Sequence, residues 1–68
     1  MNELIDACVT LVQNSGGNMV YRDLLAATPN ENRKALPKAL KEARARGLLS
    51  QEVKLVEGEV VHTYSLGS

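Results

Sequence analysis

Positive charge concentrated in the middle of the chain is the first feature that could do chemistry. Six of the eight basic residues lie between positions 33 and 46, where one acidic residue, Glu42, accompanies them. A helix advances about 100° per residue, which would bring three ammonium groups into one row facing solvent, namely Lys34, Lys38 and Lys41. An apolar seam would lie opposite, formed by Leu36, Leu40, Ala43 and Gly47. The spacing predicts a surface for an anionic partner, although lysines on a helix are also typical of a face that meets only water.

The other reactive side chains do not form a catalytic or metal-binding pattern. Cys8 lies on the apolar side of a predicted helix, which favours a core role over a reactive thiol. His62 is the single histidine, with no second histidine or cysteine at ligand spacing. Residues 15–17 lack the lysine of a phosphate-binding loop, and Glu57 and Glu59 flank a turn glycine, where they favour solubility. The sequence predicts no enzyme, no metal site and no cofactor.

The distribution of charge along the chain indicates where a partner would bind. The formal net charge is zero, with eight basic and eight acidic residues, so general attraction to polyanions is not expected. Acidic residues outnumber basic ones both before position 33 and after position 46. The positive charge is therefore confined to one element, and an anionic partner is expected to bind there.

Length and composition limit the class of protein. Sixty-eight residues make one small domain, spanning 1–68, and aromatic residues make up only 3% of them, so the core must be aliphatic. The single cysteine excludes an internal disulfide. Glu3 and Asp6 stand where a signal peptide would be basic, and no apolar run approaches the ~18 residues of a membrane span. We expect a cytoplasmic protein with no membrane contact.

Hydrophobic periodicity predicts six elements in an α+β order. They are a helix at about 3–14, a strand at 18–20, a helix at 22–27, a helix at about 32–46 and the two strands of a hairpin at 51–66. Glu57-Gly58 is the predicted turn of that hairpin. Alternation along the last strand predicts Tyr64 and Leu66 as its core contacts.

The apolar side of the first predicted helix is wide for so small a domain. Val9 or Val12 is therefore expected to stay partly exposed, where it would suit a contact with a second copy in a homodimer. The alternative is that the whole apolar side packs against the other helices.

Pro37 interrupts the third predicted helix. A proline deep in a helix removes a hydrogen bond and costs about 3 kcal/mol or more, whereas a proline in the first turn is tolerated. We favour a helix that starts late, near residues 34–36, after an irregular or 3₁₀ approach at 30–33. A longer helix that bends at Pro37 is the alternative.

Five short segments carry a resemblance to a known family. They are Asn18-Met19-Val20 before the second helix, Asp23-Leu24-Leu25 within it, Ala39-Leu40 through Ala43, the exit Arg46-Gly47-Leu48-Leu49, and the closing Tyr64-Ser65-Leu66. In the predicted order of elements, they make the chain resemble a winged helix domain, a relative of the helix-turn-helix proteins. The resemblance covers nearly the whole chain. Because the motifs are degenerate, it is a resemblance to the superfamily and to no particular protein.

The resemblance implies both a fold and a function. The implied fold is a three-helix bundle with a small antiparallel sheet, in which residues 18–20 pair beside a C-terminal hairpin called the wing. The third helix would be the recognition helix of a DNA-binding transcriptional regulator, because a major groove about 12 Å wide admits one helix. Double-stranded DNA is the implied partner.

The resemblance also assigns candidate DNA contacts. Near the helix start, base edges or phosphates would be contacted by Asn30, Asn32 and Arg33. Phosphates would be contacted by Lys34, Lys38 and Lys41, and Arg44 would reach the backbone from the side. Because lysine is a flexible point charge, this composition favours affinity more than sequence discrimination.

The hairpin departs from the pattern of a DNA-binding wing. Its tip is Val56-Glu57-Gly58-Glu59, with Glu52 nearby and Lys54 as the one basic residue. Carboxylates against phosphate are unfavourable, so the wing is expected to stay clear of DNA or to serve a protein partner. The alternative function is a protein–protein interaction module that uses the acidic wing or the first helix and does not bind DNA.

Overall fold

The protein is described by a computed structural model covering residues 2–67, and it is α+β, as expected. The helices are α1 (Asn2–Asn14), α2 (Tyr21–Ala27) and α3 (Leu36–Ala45), and a 3₁₀ helix spans Asn30–Ala35. The strands are β1 (Asn18–Val20), β2 (Leu49–Val56) and β3 (Glu59–Leu66). The predicted strand at 18–20 is confirmed, and β2 begins two residues earlier than the alternation of the sequence suggested.

The three strands form one antiparallel sheet in the order β1-β3-β2. Met19 pairs with Tyr64 on one side of β3, and Gln51 pairs with Tyr64 on the other. The expected pairing of 18–20 beside the hairpin is therefore present. The hairpin turns at Glu57 and Gly58, with φ of 49° and 82°. Two positive φ values are typical of a type I′ turn, one of the two-residue hairpin turns that match the twist of the strands.

The core is mainly aliphatic, as the low aromatic content predicted, and Tyr64 is its aromatic member. It contains Ile5, Cys8 and Val12 from α1, Leu24 from α2, Leu36, Ala39, Leu40 and Ala43 from α3, and Leu49 and Tyr64 from the sheet. The α1 and α3 helices pack on each other. The α1 helix also packs on β3, and α3 also packs on β2. The face of α3 that this packing buries fixes which of its side chains remain at the surface.

Pro37 lies in the first turn of α3, which confirms the late start of this helix. At that position its missing N–H would lack an acceptor in the helix, and its fixed φ suits the helical backbone. The third helix is consequently shorter than the 32–46 predicted. Residues 30–35 instead form the 3₁₀ helix. Gly47 (φ 74°) ends the helix, and Leu48 N–H donates to the Ala43 carbonyl across 2.9 Å.

Three predictions of burial or exposure are corrected. Val12 is fully buried, so it has no surface for a dimer contact, while Val9 is half-buried against the core. Leu66 is exposed at 39% rather than buried, because it is the last residue of β3, at the rim of the sheet. Gly47 is exposed as well, since the helix ends before it and it does not continue the apolar seam.

Candidate nucleic-acid interface

The α3 helix is anchored through one side. Leu36, Ala39 and Ala43 have no exposed surface and Leu40 is 1% exposed, and they pack the helix against α1 and β2. Positions on the other side of a helix must then face solvent. Lys38 and Lys41 occupy these positions, and both are exposed.

The two lysines are not neutralised within the described chain. The ion pairs among residues 2–67 join Arg22 to Glu59, Arg46 to Glu42 and Lys54 to Glu52. None of the three involves Lys34, Lys38 or Lys41. Lys38 and Lys41 are three residues apart, so their Cβ atoms lie on neighbouring turns about 5–6 Å apart. They form a small cationic surface, here called the α3 lysine face.

Lys34 does not belong to the same helix as Lys38 and Lys41. It lies in the 3₁₀ helix, which has about three residues per turn. The row of three lysines expected on one continuous helix is therefore shortened to Lys38 and Lys41, as the late start of α3 implies. Lys34 is nevertheless exposed. In the same segment, Asn30 is exposed and Asn32 is half-buried.

Arg33 is turned back onto its own chain. Its Nε donates a hydrogen bond to the carbonyl oxygen of Thr28 across 3.1 Å. Thr28 is itself buried, and its hydroxyl donates to the carbonyl of Leu24 across 2.7 Å. This chain of bonds ties the 3₁₀ helix to the end of α2. Thr28 was not among the residues predicted for this site, although threonine is a residue type that commonly bonds to a nearby backbone carbonyl.

Arg44 also has a partner within the chain. Its Nη1 donates to Oε1 of Gln51 on β2, and Nε2 of Gln51 lies 2.7 Å from Nδ1 of His62. This polar chain joins the end of α3 to the hairpin.

The charge of Arg44 also acts on Tyr64. Burial raises the pKa of the Tyr64 hydroxyl, the positive charge of Arg44 lowers it, and Tyr21 raises it further. Arg44 therefore supports the hairpin as well as carrying a charge.

The hairpin has an acidic side and an exposed apolar side. Glu57 is exposed at the turn, and two further carboxylates are at the surface in exposed ion pairs, Glu52 with Lys54 at 3.2 Å and Glu59 with Arg22 at 3.8 Å. Exposed apolar side chains accompany them: Val53, Leu55 and Val60 are 55%, 74% and 63% exposed. The hairpin tip thus projects beyond the part of the sheet that the helices cover.

The described part of the chain has shallow surface depressions but no group of possible metal ligands. A shallow depression of about 330 Å³ lies between the start of α2 and β3, and one of about 180 Å³ lies between α1 and residues 27–32. Within residues 2–67, no three His, Cys, Asp or Glu side chains are grouped to hold a metal ion. Over the same residues, no helix has the length and apolar character needed to cross a membrane.

Comparison of the chain with known protein families, with curated proteins and with solved structures gives no match.

Proposed function

We propose that the chain is a winged helix domain that binds double-stranded DNA and regulates transcription by occupying its site, without a catalytic step. The α3 helix would enter the major groove and the β2–β3 hairpin would be the wing. The order of elements and the order of strands, β1-β3-β2, support this assignment because they agree with the superfamily that the sequence resembles.

The observation that carries the proposal is the state of the α3 lysine face. Lys38 and Lys41 are exposed, have no ion pair among residues 2–67, and lie on a helix whose opposite side is buried. A ten-residue helix is about 15 Å long, which is enough to cross a groove about 12 Å wide. Free ammonium groups on such a helix suit phosphate contacts, which supply most of the affinity of non-specific DNA binding.

The remaining basic residues take secondary roles in the proposal. Lys34 would contact a phosphate from the 3₁₀ helix, beside Asn30 and Asn32. Arg33 and Arg44 would contribute charge to the same side while holding their own chain through Thr28 and Gln51. Since most of the proposed contacts are lysine to phosphate, the domain is expected to discriminate weakly between sequences as a monomer.

The acidic hairpin favours a second candidate function. Glu52, Glu57 and Glu59 would meet phosphate with like charge, and the exposed Leu55 and Val60 beside them suit a protein surface better than DNA. In this alternative, the domain is a protein-interaction module that uses the hairpin and does not bind DNA.

Two double variants with the same change in net charge test whether DNA binds at the α3 lysine face. Lys38→Gln with Lys41→Gln removes both ammonium groups of the α3 lysine face, and Thr10→Glu with Gln13→Glu adds two carboxylates on the exposed side of α1. Affinity for a labelled DNA duplex should fall at least about tenfold in the first variant and change little in the second. Equal loss of affinity in both variants would mean that binding depends only on net charge, and it would contradict the assignment of the DNA site to α3.

A further inference from the structure

The outer edge of the sheet is open along the whole of β2. In the order β1-β3-β2, β3 occupies one side of β2, and no other strand among residues 2–67 pairs with the other side. The edge is eight residues long, from Leu49 to Val56. An unpaired strand of this length is a template for pairing with another strand.

The hairpin register shows which backbone groups of β2 are free. Residues 56 and 59 close the two-residue turn, so they form a hydrogen-bonded pair of the antiparallel ladder. Such pairs alternate along the ladder, and hence the even-numbered residues of β2 bond to β3. Gln51, Val53 and Leu55 therefore direct their N–H and C=O groups away from β3, toward the open edge.

We infer that this edge binds a second copy of the same chain, with the two β2 strands antiparallel and the two-fold axis at Val53. Each Val53 then pairs with Val53 of the second copy, and Gln51 pairs with Leu55 of the second copy. Every pair joins residues whose backbone groups are free, so three pairs contribute six hydrogen bonds. The product is a continuous six-stranded antiparallel sheet. This inference does not depend on DNA binding.

The charges on β2 select this register over its neighbours. With the axis at Val53, Glu52 lies opposite Lys54 of the second copy, and Lys54 lies opposite Glu52. These are non-hydrogen-bonded positions, where side chains on opposite strands are closest. A shift of the axis by one residue along β2 would bring Glu52 against Glu52, or Lys54 against Lys54. The strand is therefore complementary to itself in one register, and like charges disfavour the two adjacent ones.

The same pairing accounts for the exposed apolar side of the hairpin. Val53, Leu55 and Val60 lie on one face of the sheet, because Leu55 pairs with Val60 and Val53 with His62. In the paired sheet, the hairpin tip of each copy lies beside the base of β2 in the other, next to its Leu49 and Gln51. Apolar surface that is open in one copy would thus be partly covered in two.

The first test is the mass in solution. The single chain has a mass of 7.4 kDa, and sedimentation from about 1 μM to about 1 mM should show a reversible transition to twice that mass. A monomer at every concentration would overturn the inference.

Charge variants then test the interface itself. Lys54→Glu places four carboxylates at the centre of the pairing, and Glu52→Lys places four ammonium groups there. Each variant alone should dimerise more weakly, on the order of tenfold or more. An equimolar mixture should form a heterodimer, because every Glu then faces a Lys. As a control, Asp6→Lys changes the net charge by the same amount as Glu52→Lys on the exposed side of α1 and should leave dimerisation unchanged.

A backbone variant tests the strand edge independently of charge. Val53→Pro removes an N–H that faces the open edge, so the hairpin of one copy should tolerate it while the central pair of the dimer should not form. A chain with native circular dichroism and no dimer is the expected result. A dimer that persists in Val53→Pro, or a mixture of the two charge variants that stays monomeric, would show that the copies do not associate through β2.

Discussion

Arg33 and Thr28 are joined by a hydrogen bond of 3.1 Å from the guanidinium Nε to the backbone carbonyl. The bond links the 3₁₀ helix to the turn that follows α2. Within residues 33–46, each arginine has a partner in its own chain: Arg33 and Arg44 donate hydrogen bonds, and Arg46 reaches Asn2 and Glu42. The lysines at 34, 38 and 41 have no such partners among residues 2–67. On this basic stretch, the arginines therefore contact the protein itself, whereas the three lysines remain unpaired among the described residues.

Arg33→Ala should lower the free energy of unfolding by about 1 kcal/mol, because it leaves the carbonyl of Thr28 without its donor. Lys34→Ala, at the next position on the same 3₁₀ helix, should change it by less than about 0.5 kcal/mol. Urea unfolding of the two variants makes the comparison. Equal stability of the variants would show that the Arg33 bond does not hold the segment in place.

Pro37→Ala should have a small effect on stability, a loss of about 0.4–1 kcal/mol, because proline in the first turn mainly restricts the unfolded chain. Moving the proline two positions along the helix should have a much larger effect. Ala39→Pro places the ring just beyond the first turn of α3, at a fully buried position where an intrahelical hydrogen bond is lost, and should prevent cooperative folding. Thermal unfolding followed by circular dichroism measures both, and a well-folded Ala39→Pro variant would contradict the helix assignment.

Gly67→Ala should be more destabilising than Gly58→Ala. A Cβ at Gly67 would collide with the backbone of Gly47, whose carbonyl oxygen is in its path and whose carbonyl carbon would be 2.8 Å away. A Cβ at Gly58 would meet nothing within 4 Å, so only its φ of 82° is strained. We expect a loss of about 2 kcal/mol at Gly67 and about 1 kcal/mol at Gly58. The reverse order in urea unfolding would contradict the close approach of the two chain segments.

Stability should decline at alkaline pH. Burial raises the pKa of the Cys8 thiol above its ordinary value of 9.0, and burial likewise raises the pKa of the Tyr64 hydroxyl above 10.0. The folded state holds both protons more tightly than the unfolded state. The stability contributed by these two protonated groups is complete below their pKa values in the unfolded state. It is lost as pH rises through their pKa values in the folded state. The urea midpoint should therefore fall above about pH 9, and the fall should be smaller in Cys8→Ala with Tyr64→Phe.

Local sequence signals accounted for most of the secondary structure. Gly47 and Pro37 marked the two ends of α3 because each acts through its own backbone conformation, which needs no tertiary information. The turn at Glu57-Gly58 followed from the alternation of the flanking strands in the same way. Burial at the borders of an apolar helix side was less predictable. The periodicity of α1 gave the width of its apolar side, but it did not show where the other helices and the sheet pack against it. Val12, at such a border, is buried.

The candidate interface could be predicted only in part. The exposure of Lys38 and Lys41 follows from the buried seam on the same helix. The direction in which the Lys34 side chain points could not be predicted from the helix after Pro37. Lys34 lies in the 3₁₀ helix, which has fewer residues per turn than α3. The bonds of Arg33 and Arg44 depend on how a turn and a strand are brought next to them in space, and no spacing in the sequence encodes the proximity of Thr28 or Gln51.

The most direct test of DNA binding through the α3 lysine face and Lys34 is a salt titration of the unmodified chain. Fluorescence anisotropy of a labelled duplex would give the association constant over a series of salt concentrations. Each phosphate neutralised contributes about −0.9 to the slope of log affinity against log salt, so three lysines predict a slope of about −3. No binding at low salt, or an affinity that does not change with salt, would contradict the account.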